Sequence, residues 1–486
     1  MRILQVSTAD IAGGAERVAM RLFEEYRFFG HESWLAVGWK RSSDPNVLLI
    51  RNEDQKNTWF RLCRKIARKL GPYVERTKGI RELQKLFENL SEPLQWVQLG
   101  LGYENFGFAE SWRLLDLLPQ KPDVVHCHNL HGPFLPGGGY FDLRLLPMLS
   151  RKVPVILTLH DAWLLSGHCA HSFGCEQWKR GCGKCPDLNI YPAIGRDATA
   201  YNWRRKMSIY AKSKLFVATP SRWLMQKVEQ SMLVSAVVEG RVIPYGVDLS
   251  IFRPADKQRV RKKLKINSDV KVLLSAANVI RQNPWKDYQT MRKAVARVSE
   301  LIHGKDLLFI ALGENAPPER IGRAHVQFVP YQSEPKAVAQ YYQAADIYVH
   351  AAKVDTFPNT VLESLACGTP VVATSVGGIP EQLKGLEVEG CRFQVAGCEL
   401  NSHKPDEATG VLVPAGDSEW MAAAIVVLLK DEAQRKRLSE NAALDARKRF
   451  DMKHEVNEYL EWYREITGGR DVDRSTFNKG STLGAR

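Results

Sequence analysis

Two acidic residues that stand eight positions apart mark the segment of this sequence with the clearest chemical potential. Asp355 and Glu363 begin and end the run Asp-Thr-Phe-Pro-Asn-Thr-Val-Leu-Glu. An apolar run at Ile347–His350 predicts a strand before it, and Asn359–Ala366 has helical spacing. A strand-to-helix loop places backbone N–H groups and the positive end of a helix where a phosphate group can bind.

Each polar residue of this segment has a candidate role. Glu363 lies one turn inside the predicted helix, where a carboxylate can bind a ribose diol, and Asp355 lies at the strand end. The loop supplies further candidates for contact with the same ligand, as helix caps or hydroxyl donors among others: Thr356, Phe357, Asn359 and Thr360. The alternative is structural, with an Asp near a helix N-terminus and a solvated Glu on the helix flank.

Two pairs of glycines follow predicted strands. Gly13 and Gly14 come after the first strand, and Gly377 and Gly378 come after a later one. Glycine lets the backbone approach a ligand closely, although any strand-to-helix connection can use it as a turn. The first pair does not fit the pattern G-x-G-x-x-G, which argues against a NAD-dependent dehydrogenase.

Histidines gather at the ends of two other predicted strands. His160 and Asp161 follow Val155–Leu159, and the strand Val124–Cys127 carries or precedes the others, which are His126, His128 and His131. Histidine both donates and accepts hydrogen bonds near neutral pH, so these residues are candidates for contact with an acceptor hydroxyl group. The alternative is that they only cap the strand ends.

A cluster of four cysteines falls within 17 residues: Cys169, Cys175, Cys182 and Cys185. The closing Cys-Gly-Lys-Cys pair and the overall spacing suit a tetrahedral structural zinc site, with His168 and His171 as alternate ligands. Two disulfides or four free thiols are the alternatives, and a reducing cytoplasm disfavours the disulfides. A closed site with four protein ligands leaves no position for a substrate, so we assign it no catalytic role.

Strand-like apolar runs alternate with helical segments along most of the chain, which predicts parallel α/β sheets. The pattern predicts an N-terminal Rossmann-like domain over 1–245, with a helical basic insertion at 51–118 and a cysteine-rich loop at 160–190. A second Rossmann-like domain covers 246–430, helices at 431–467 pack back on the first domain, and 468–486 form a disordered tail. Ligands of such sheets bind beyond the carboxyl ends of the strands, here in the cleft between two doubly wound domains.

The insertion is strongly basic, with eleven Lys and Arg against five Asp and Glu over 51–90. Its first helix places apolar residues at helical spacing and basic residues between them: Trp59, Phe60, Leu62, Cys63, Ile66, Ala67 and Leu70 alternate with Arg61, Arg64, Lys65, Arg68 and Lys69. A basic helix with one apolar face suits an anionic membrane surface. The alternative is a surface helix that packs its apolar stripe on its own domain.

Composition sets the remaining limits. With 44% apolar and 25% charged residues, the 486-residue chain resembles an ordinary soluble protein, and no apolar stretch suits a bilayer span. The N-terminus shows no signal-peptide pattern, so we expect a cytoplasmic protein, with the inner face of the membrane as a candidate surface. The formal charge of +14 favours anionic partners, yet the sequence has no recognisable nucleic-acid-binding module.

The acidic pair and both glycine turns together resemble the motifs of the retaining glycosyltransferases of group 1, or family 4. This resemblance implies the GT-B fold, in which two Rossmann-like domains face each other across a cleft. It implies that Glu363 binds the donor ribose, and that Asp355, where the family usually has Glu, contacts the donor sugar. Both glycine loops would approach the donor, and His160 would lie near the reacting centre.

The resemblance also implies a basic contact with the donor diphosphate. Lys286 follows the predicted strand Val270–Ala276, where the family places a lysine. The usual arginine at the end of that strand is replaced by Asn278, so Arg281 is the candidate substitute. Tyr331 follows the predicted strand Val326–Phe328 and is a candidate for contact with the base.

The implied reaction moves a sugar from a UDP- or GDP-sugar to a lipid-linked or saccharide acceptor with retention of configuration. The histidines and the cysteine-rich stretch are similar to those of enzymes that build exopolysaccharide or colanic acid. No Asp-x-Asp motif stands in the site segments, since Asp471-Val-Asp473 lies in the tail, so we expect no obligatory Mg or Mn. A sugar-nucleotide epimerase and, more distantly, a nucleic-acid-binding protein are the alternatives.

Overall fold

The protein forms two compact units, each with its own sheet. A computed structural model describes residues 1–11, 13–51, 57–74, 77, 79–131, 139–302, 306–386 and 402–468. Unit 1 comprises Met1–Pro220, Leu224–Val242 and the described chain from Tyr459 onward, and unit 2 comprises Ser221–Trp223 and Ile243–Glu458. The predicted tail lies outside the described residues, apart from Gly468.

Unit 1 contains a seven-stranded parallel sheet with the strand order β3-β2-β1-β4-β5-β6-β7. Its strands are β1 (Arg2–Ala9), β2 (Glu32–Trp39), β3 (Val47–Leu49), β4 (Val124–Cys127), β5 (Val155–Thr158), β6 (Leu215–Thr219) and β7 (Val237–Val242). The helices of this half of the chain are α1 (Gly14–Phe28), α2 (Thr58–Leu70), α3 (Ile80–Ser91), α4 (Pro93–Gly100), α5 (Leu146–Lys152), α6 (Thr199–Tyr210) and α7 (Arg222–Glu229).

The central strands of this sheet are buried along their whole length, as expected where helices cover both faces of a parallel sheet. Every residue of β4 and β5 is buried. Helix α1 buries Val18, Leu22 and Tyr26, whose spacing of four residues forms one apolar stripe. The carboxyl ends of β1, β4 and β5, which are neighbours in the sheet, therefore lie at one edge.

Unit 2 contains a nine-stranded sheet with the order β10-β11-β9-β8-β12-β13-β16-β14-β15, in which β10 alone pairs antiparallel. Its strands are β8 (Lys271–Ala276), β9 (Leu307–Leu312), β10 (Glu319–Ile321), β11 (Ala324–Val329), β12 (Ile347–His350), β13 (Val371–Thr374), β14 (Gly385–Leu386), β15 (Ser402–His403) and β16 (Gly410–Val413). The helices are α8 (Lys257–Leu264), α9 (Tyr288–Leu301), α10 (Pro335–Ala344), α11 (Asn359–Ala366), α12 (Ile379–Gln382), α13 (Ser418–Lys430), α14 (Glu432–Arg449) and α15 (Met452–Thr467).

The core of unit 2 lies between its sheet and the helices α9 and α13. Leu273 and Phe309 of the sheet belong to one buried cluster with Val295 of α9 and Ile425 of α13. This cluster fixes β8 and β12 side by side. The loops that follow these two strands carry the predicted donor-binding residues.

The predicted α/β class with two doubly wound units is confirmed, with two local corrections. The apolar residues Val242–Pro244 predict a strand there, but the structure has β7 at Val237–Val242, an edge strand whose polar Glu239 and Arg241 obscure the apolar pattern. The spacing over Glu432–Thr467 predicts one helix, but the structure has two, of which the first ends at Arg449 and the second begins at Met452. Asp451 separates the two helices, and its carboxylate accepts a hydrogen bond from the N–H of Lys453.

The described helices include none with the length and apolar character needed to cross a bilayer.

Candidate functional site

The acidic segment forms the predicted strand, loop and helix in unit 2. Asp355 lies in the loop between β12 and α11, and its Oδ2 is 2.6 Å from Nζ of Lys286. Lys286 precedes α9, and its backbone pairs with Ala352 just after β12. The structure thus brings together two residues that are 69 positions apart in the sequence. The carboxylate and the ammonium group are largely buried, so their attraction is weakly screened by water.

His350, the last residue of β12, completes this group. Nζ of Lys286 donates to Nε2 of His350 at 3.1 Å, and Nδ1 of the same ring lies 3.1 Å from the hydroxyl of Tyr348. With Nε2 as acceptor, Nδ1 carries the proton and donates it to Tyr348, which donates in turn to the carbonyl of Ala276. Burial and the nearby Lys286 lower the pKa of His350 to about 4, so its ring is neutral.

The charge of Asp355 is held by its neighbours. Burial alone raises the pKa of this carboxyl, but Lys286 and His350 oppose it and leave the pKa well below its usual value. Asp355 is therefore ionised throughout the neutral range. Its negative charge is paired with Lys286.

Glu363 lies on α11 at the other end of the segment. It is 9% exposed, and its Oε2 accepts a hydrogen bond of 2.9 Å from the hydroxyl of Tyr342 in α10. Pro358 is the N-cap of α11, and its side chain makes no capping hydrogen bond. The predicted capping by Thr356, Asn359 or Thr360 stays a prediction. The N–H groups of the first turn are suited to an anion.

The remaining residues of the loop differ in exposure. Thr356 is buried, whereas Asn359 and Thr360 are half-buried. The ring of Phe357 is buried between Tyr245 and Phe450, at centroid distances of 5.8 Å and 5.9 Å. Phe357 therefore shapes the loop from inside, and its predicted contact with a ligand stays a prediction.

The second glycine loop packs directly on the acidic loop. A Cβ atom on Gly377 would lie 1.8 Å from the carbonyl oxygen of Asp355, and one on Gly378 would lie 1.9 Å from that of Thr356. The N–H of Gly378 donates to the Asp355 carbonyl at 3.1 Å, and Gly377 has a φ of +59°. These glycines are thus required by the close approach of two loops, whether or not a ligand is bound.

The first glycine pair lies at the start of α1 in unit 1. Gly13 is the N-cap and Gly14 the first residue of the helix. Asp10, just before them, is buried, and its carboxylate accepts from the backbone N–H groups of Arg41 and Ser42. This anchoring fixes the end of β1 beside the end of β2.

Arg281 and Tyr331 lie in unit 2 with different surroundings. Arg281 forms an ion pair of 3.0 Å with the buried Glu314 and lies over the ring of Phe328. Tyr331 is 52% exposed after β11. Arg281 is therefore held in place, while its role and that of Tyr331 as ligand contacts stay predictions.

The predicted histidines of unit 1 gather at the ends of β4 and β5. His128 is buried, with Nδ1 3.1 Å from Nε2 of His160 and Nε2 2.9 Å from Oε1 of Gln5. With Gln5 Oε1 as acceptor, His128 donates through Nε2 and accepts from His160. Burial lowers the pKa of both rings, that of His160 to about 4, so both are neutral.

His126 and His131 differ in their hydrogen-bond partners. His126 is fully buried, with its ring nitrogens bound to Thr158 and Tyr463 at 2.6 Å each, so it lies within the fold. His131 lies 2.8 Å from Oδ2 of Asp161. Burial raises the pKa of Asp161, but His131 opposes it and the pKa falls to about 2. The His131–Asp161 pair is thus the more accessible candidate for acceptor contact.

The four clustered cysteines lie in the loop between β5 and α6 and line one small cavity. All seven described cysteines, these four among them, have free thiols. Burial raises the pKa of Cys169 to about 11 and that of Cys182 to about 12, so without a cation both thiols are protonated. In the part of the chain that the structure describes, no three His, Cys, Asp or Glu side chains are arranged to hold a metal ion as they stand.

Sequence reasoning missed two supporting residues, His350 and Tyr342. His350 ends the strand that enters the acidic loop, so its position at a carboxyl strand end was an available signal. Tyr342 reaches Glu363 from a separate helix, and a single sequence carries no sign of that contact.

Solved structures with the same fold are glycosyltransferases and related enzymes. The Anabaena protein HepE, solved in complex with UDP and glucose, matches with a TM-score of 0.56 at 16% identity, over 96% of this chain and 100% of its own. Sucrose-phosphate synthase from Thermosynechococcus elongatus matches with a TM-score of 0.56 at 17% identity, over 96% and 99% of the two chains. Together with the two α/β units, these matches show that the chain has the GT-B fold.

Two family descriptions narrow this class. Residues 256–445 match the family "Glycosyl transferases group 1", and residues 12–251 match "Glycosyltransferase Family 4". The chain belongs to the group 1 glycosyltransferases of the family 4 type.

Curated relatives share parts of the chain. A putative colanic acid biosynthesis glycosyl transferase, WcaC of Escherichia coli, is 25% identical over 54% of this chain and 62% of its own length. A D-inositol 3-phosphate glycosyltransferase of Segniliparus rotundus is 36% identical over 30% of this chain and 35% of its own. The matched region thus spans less than two thirds of either relative.

Proposed function

We propose that this enzyme transfers a sugar from a nucleoside-diphosphate sugar to a hydroxyl group of a lipid-linked or saccharide acceptor, with retention of anomeric configuration. The observation that carries the proposal is the pairing of Asp355 with Lys286 at one end of the acidic loop, with Glu363 at the other. One cation and two carboxylates around a helix N-terminus whose N-cap is a proline suit a ligand with both phosphate and hydroxyl groups.

Each group has a part in binding the donor. Glu363 accepts hydrogen bonds from the ribose hydroxyls, while its second partner, Tyr342, holds it in place. Asp355 accepts from hydroxyls of the donor sugar. Lys286 and the N–H groups at the start of α11 bind the diphosphate.

The reaction breaks the bond between the anomeric carbon and the diphosphate oxygen and forms a bond from that carbon to the acceptor oxygen. The acceptor proton passes to the departing diphosphate, on the same face of the sugar. Lys286 and the backbone N–H groups stabilise the negative charge that develops on the leaving group. We propose that this stabilisation suffices without an obligatory Mg or Mn ion.

Two relatives support the choice of substrates. The HepE complex with UDP and glucose favours a UDP-sugar over a GDP-sugar, since it shares the fold. The similarity to WcaC favours an acceptor from cell-surface or exopolysaccharide synthesis. His131 and Asp161 are the proposed acceptor contacts, while His128 holds the ring of His160 and His126 binds Thr158 and Tyr463 within the fold. The cysteine cluster takes no part in this chemistry.

The proposed place of action is the cytoplasmic side of the cell membrane. Helices α2, α3 and α4 expose large apolar side chains next to basic ones: Trp59, Leu62, Leu83, Leu86, Leu94, Trp96 and Val97 are all exposed. Arg61, Lys65, Arg68 and Lys69 of α2 are exposed as well. An apolar surface with cations suits an anionic bilayer, where a lipid-linked acceptor would be found.

A thermal-shift panel of UDP-, GDP- and ADP-sugars tests the donor proposal. We expect one base class to raise the unfolding temperature, because binding to the native state stabilises it. Glu363→Ala should abolish this shift, whereas the matched variant Glu419→Ala, at a residue on the exposed start of α13, should keep it. No shift with any donor would contradict the proposal.

Product analysis with that donor tests the reaction. We expect a glycoside of unchanged anomeric configuration only when acceptor is present, and equal activity in EDTA after brief treatment. A new sugar nucleotide formed without acceptor would indicate an epimerase. Activity that EDTA abolishes and Mg restores would overturn the metal-independent chemistry.

A further inference from the structure

The four clustered cysteines of unit 1 surround one cavity of about 20 Å³. Cys169, Cys175, Cys182 and Cys185 all line it, together with His168 and Trp178. A space of this size accommodates about one water molecule or one ion. Four thiols around a space for a single atom are more than packing requires, and the proposed transfer reaction does not use them.

The backbone around two of these cysteines has an energetically unfavourable conformation. Four consecutive residues have positive φ: Gly181 (145°), Cys182 (51°), Gly183 (95°) and Lys184 (50°). Cys182 and Lys184 are not glycines, so the left-handed backbone is unfavourable for them. Such conformations persist where the surroundings impose them and concentrate at functional sites. The turn brings Cys182 and Cys185 to the same cavity.

His168 has the hydrogen bonding of a metal-site histidine. It is buried, and its Nδ1 donates to the carbonyl of Pro192 at 3.0 Å. Nε2 is then unprotonated, and it lies 3.4 Å from Sγ of Cys185. Histidines at metal sites commonly donate their second N–H to a carbonyl in this way, which fixes the tautomer.

Two lysines, one fully buried and one half-buried, supply positive charge beside the thiols. Lys206 is fully buried, bound to Glu104 at 2.8 Å, and it interacts electrostatically with Cys169 and Cys182. Lys227 lies over the ring of Trp178 at 4.8 Å and interacts in the same way with Cys169 and Cys175. Four thiolates around Zn²⁺ carry a net charge of about −2, which two nearby cations would offset.

We propose that Cys169, Cys175, Cys182 and Cys185 hold one structural zinc ion in unit 1, with His168 directly beside it. As the described side chains stand, they are not gathered tightly enough for coordination. Binding therefore requires the thiols to lose their protons and turn toward the shared cavity, where the zinc–sulfur bonds form. The ion would fix the loop between β5 and α6, whose start carries His160 and Asp161.

Zinc analysis of the full-length protein, purified without chelators or a metal-binding tag, is the first test. We expect about one zinc per chain, and its release by a strong chelator should expose four further thiols to a thiol reagent. Less than about a quarter equivalent, even after growth with added zinc, would overturn the proposal. A mass lower by four hydrogens under non-reducing conditions, which indicates two disulfides, would overturn it as well.

Paired variants locate the ion. Cys182→Ser and Cys185→Ser should lose zinc, whereas Cys63→Ser and Cys367→Ser, at buried cysteines elsewhere, should retain it. Zinc that stays in both cluster variants would contradict the site. If the cluster variants do not fold, chelation of the unmodified protein replaces them: zinc loss should lower its unfolding temperature, and added zinc should restore it. The donor-induced thermal shift should persist in Cys185→Ser, so zinc loss and failure of the proposed reaction are separable.

Discussion

At the scale of single residues, Lys286 is already paired before any donor binds. Its Nζ contacts both Asp355 and His350, so a diphosphate must share or take over this cation. If Lys286 turns to the diphosphate as proposed, the carboxylate of Asp355 becomes available for sugar hydroxyls. One ion pair would thus couple recognition of the phosphate to recognition of the sugar.

Lys286→Met and Asp355→Asn should therefore have different effects on binding. Lys286→Met should weaken the binding of the free nucleoside diphosphate and of the sugar nucleotide alike, by about 10- to 100-fold. The reason is that charge-assisted hydrogen bonds contribute about 1.5–3 kcal/mol. Asp355→Asn should keep or increase the affinity for the nucleoside diphosphate. It should lower the affinity for the sugar nucleotide relative to that for the nucleoside diphosphate. Calorimetric titration of each variant with both ligands measures this, and equal losses in the two variants would refute the coupling.

The same pair sets a pH dependence of stability. The pKa of Asp355 is lower in the folded protein than the unfolded value of about 3.9. The stabilisation is therefore complete above that value and is lost only as the pH falls through the lower folded pKa. Between neutral and mildly acidic pH, the contribution of this carboxylate to the free energy of unfolding should therefore stay constant.

The residue types and their spacing indicated the acidic pair, and the family resemblance indicated Lys286, but neither showed which residues support them. Asp355 and Glu363 lie in one short segment, so the local sequence pattern was sufficient to identify them. Tyr342, His350 and Gln5 act through contacts between separate elements, which depend on the packing. His126 shows the converse, since a polar strand residue that suggested contact with a ligand is fully buried against the last helix.

At the scale of elements, the loop that follows β12 packs directly against the loop that follows β13. Gly377→Ala would place a methyl group 1.8 Å from the Asp355 carbonyl oxygen, so the acidic loop must move. We expect loss of the donor-induced thermal shift, besides a cost of about 1–2 kcal/mol for the left-handed backbone. Thermal unfolding with and without donor measures both effects.

Gly416→Ala is the matched control for this prediction. Gly416 also has positive φ, +76°, but nothing lies within 4 Å of the Cβ position. This variant should show a similar backbone cost and keep the donor-induced shift. If both variants keep the shift, the close approach of the two loops does not shape the donor site.

The buried strands and long helices were predictable because their patterns are continuous over whole elements. Helix α11 begins and ends where the spacing predicts. The short strands β3, β10, β14 and β15 were not predicted, since two or three residues carry no periodicity. The break before α15 depends on a backbone bridge between Val247 and Asp451, which no local pattern encodes.

At the scale of the whole molecule, the charge of +14 and the exposed apolar residues of α2 to α4 suggest binding to anionic vesicles. Leu62→Ser with Leu94→Ser should weaken this binding several-fold, since these side chains are 49% and 81% exposed. Salt should weaken it further by screening the basic residues. Co-sedimentation with anionic and neutral vesicles measures both effects.

The control is Phe28→Ser with Leu444→Ser, which removes apolar residues that are 83% and 64% exposed on other helices. This double variant should bind vesicles like the unmodified protein. Equal binding by all three proteins, or equal binding to neutral vesicles, would favour the alternative in which α2 to α4 only pack on their own unit.

The described chain from Tyr459 onward belongs to unit 1, and this has a consequence for the order of synthesis. Tyr459 and Tyr463 of α15 bind Thr158 and His126, so the first sheet is completed by nearly the last described residues. On the ribosome, all of unit 2 emerges before those tyrosines do. Domains commonly fold in the order of their synthesis. Here all the described strands of the sheet in unit 2 are synthesised before the residues of α15 that belong to unit 1.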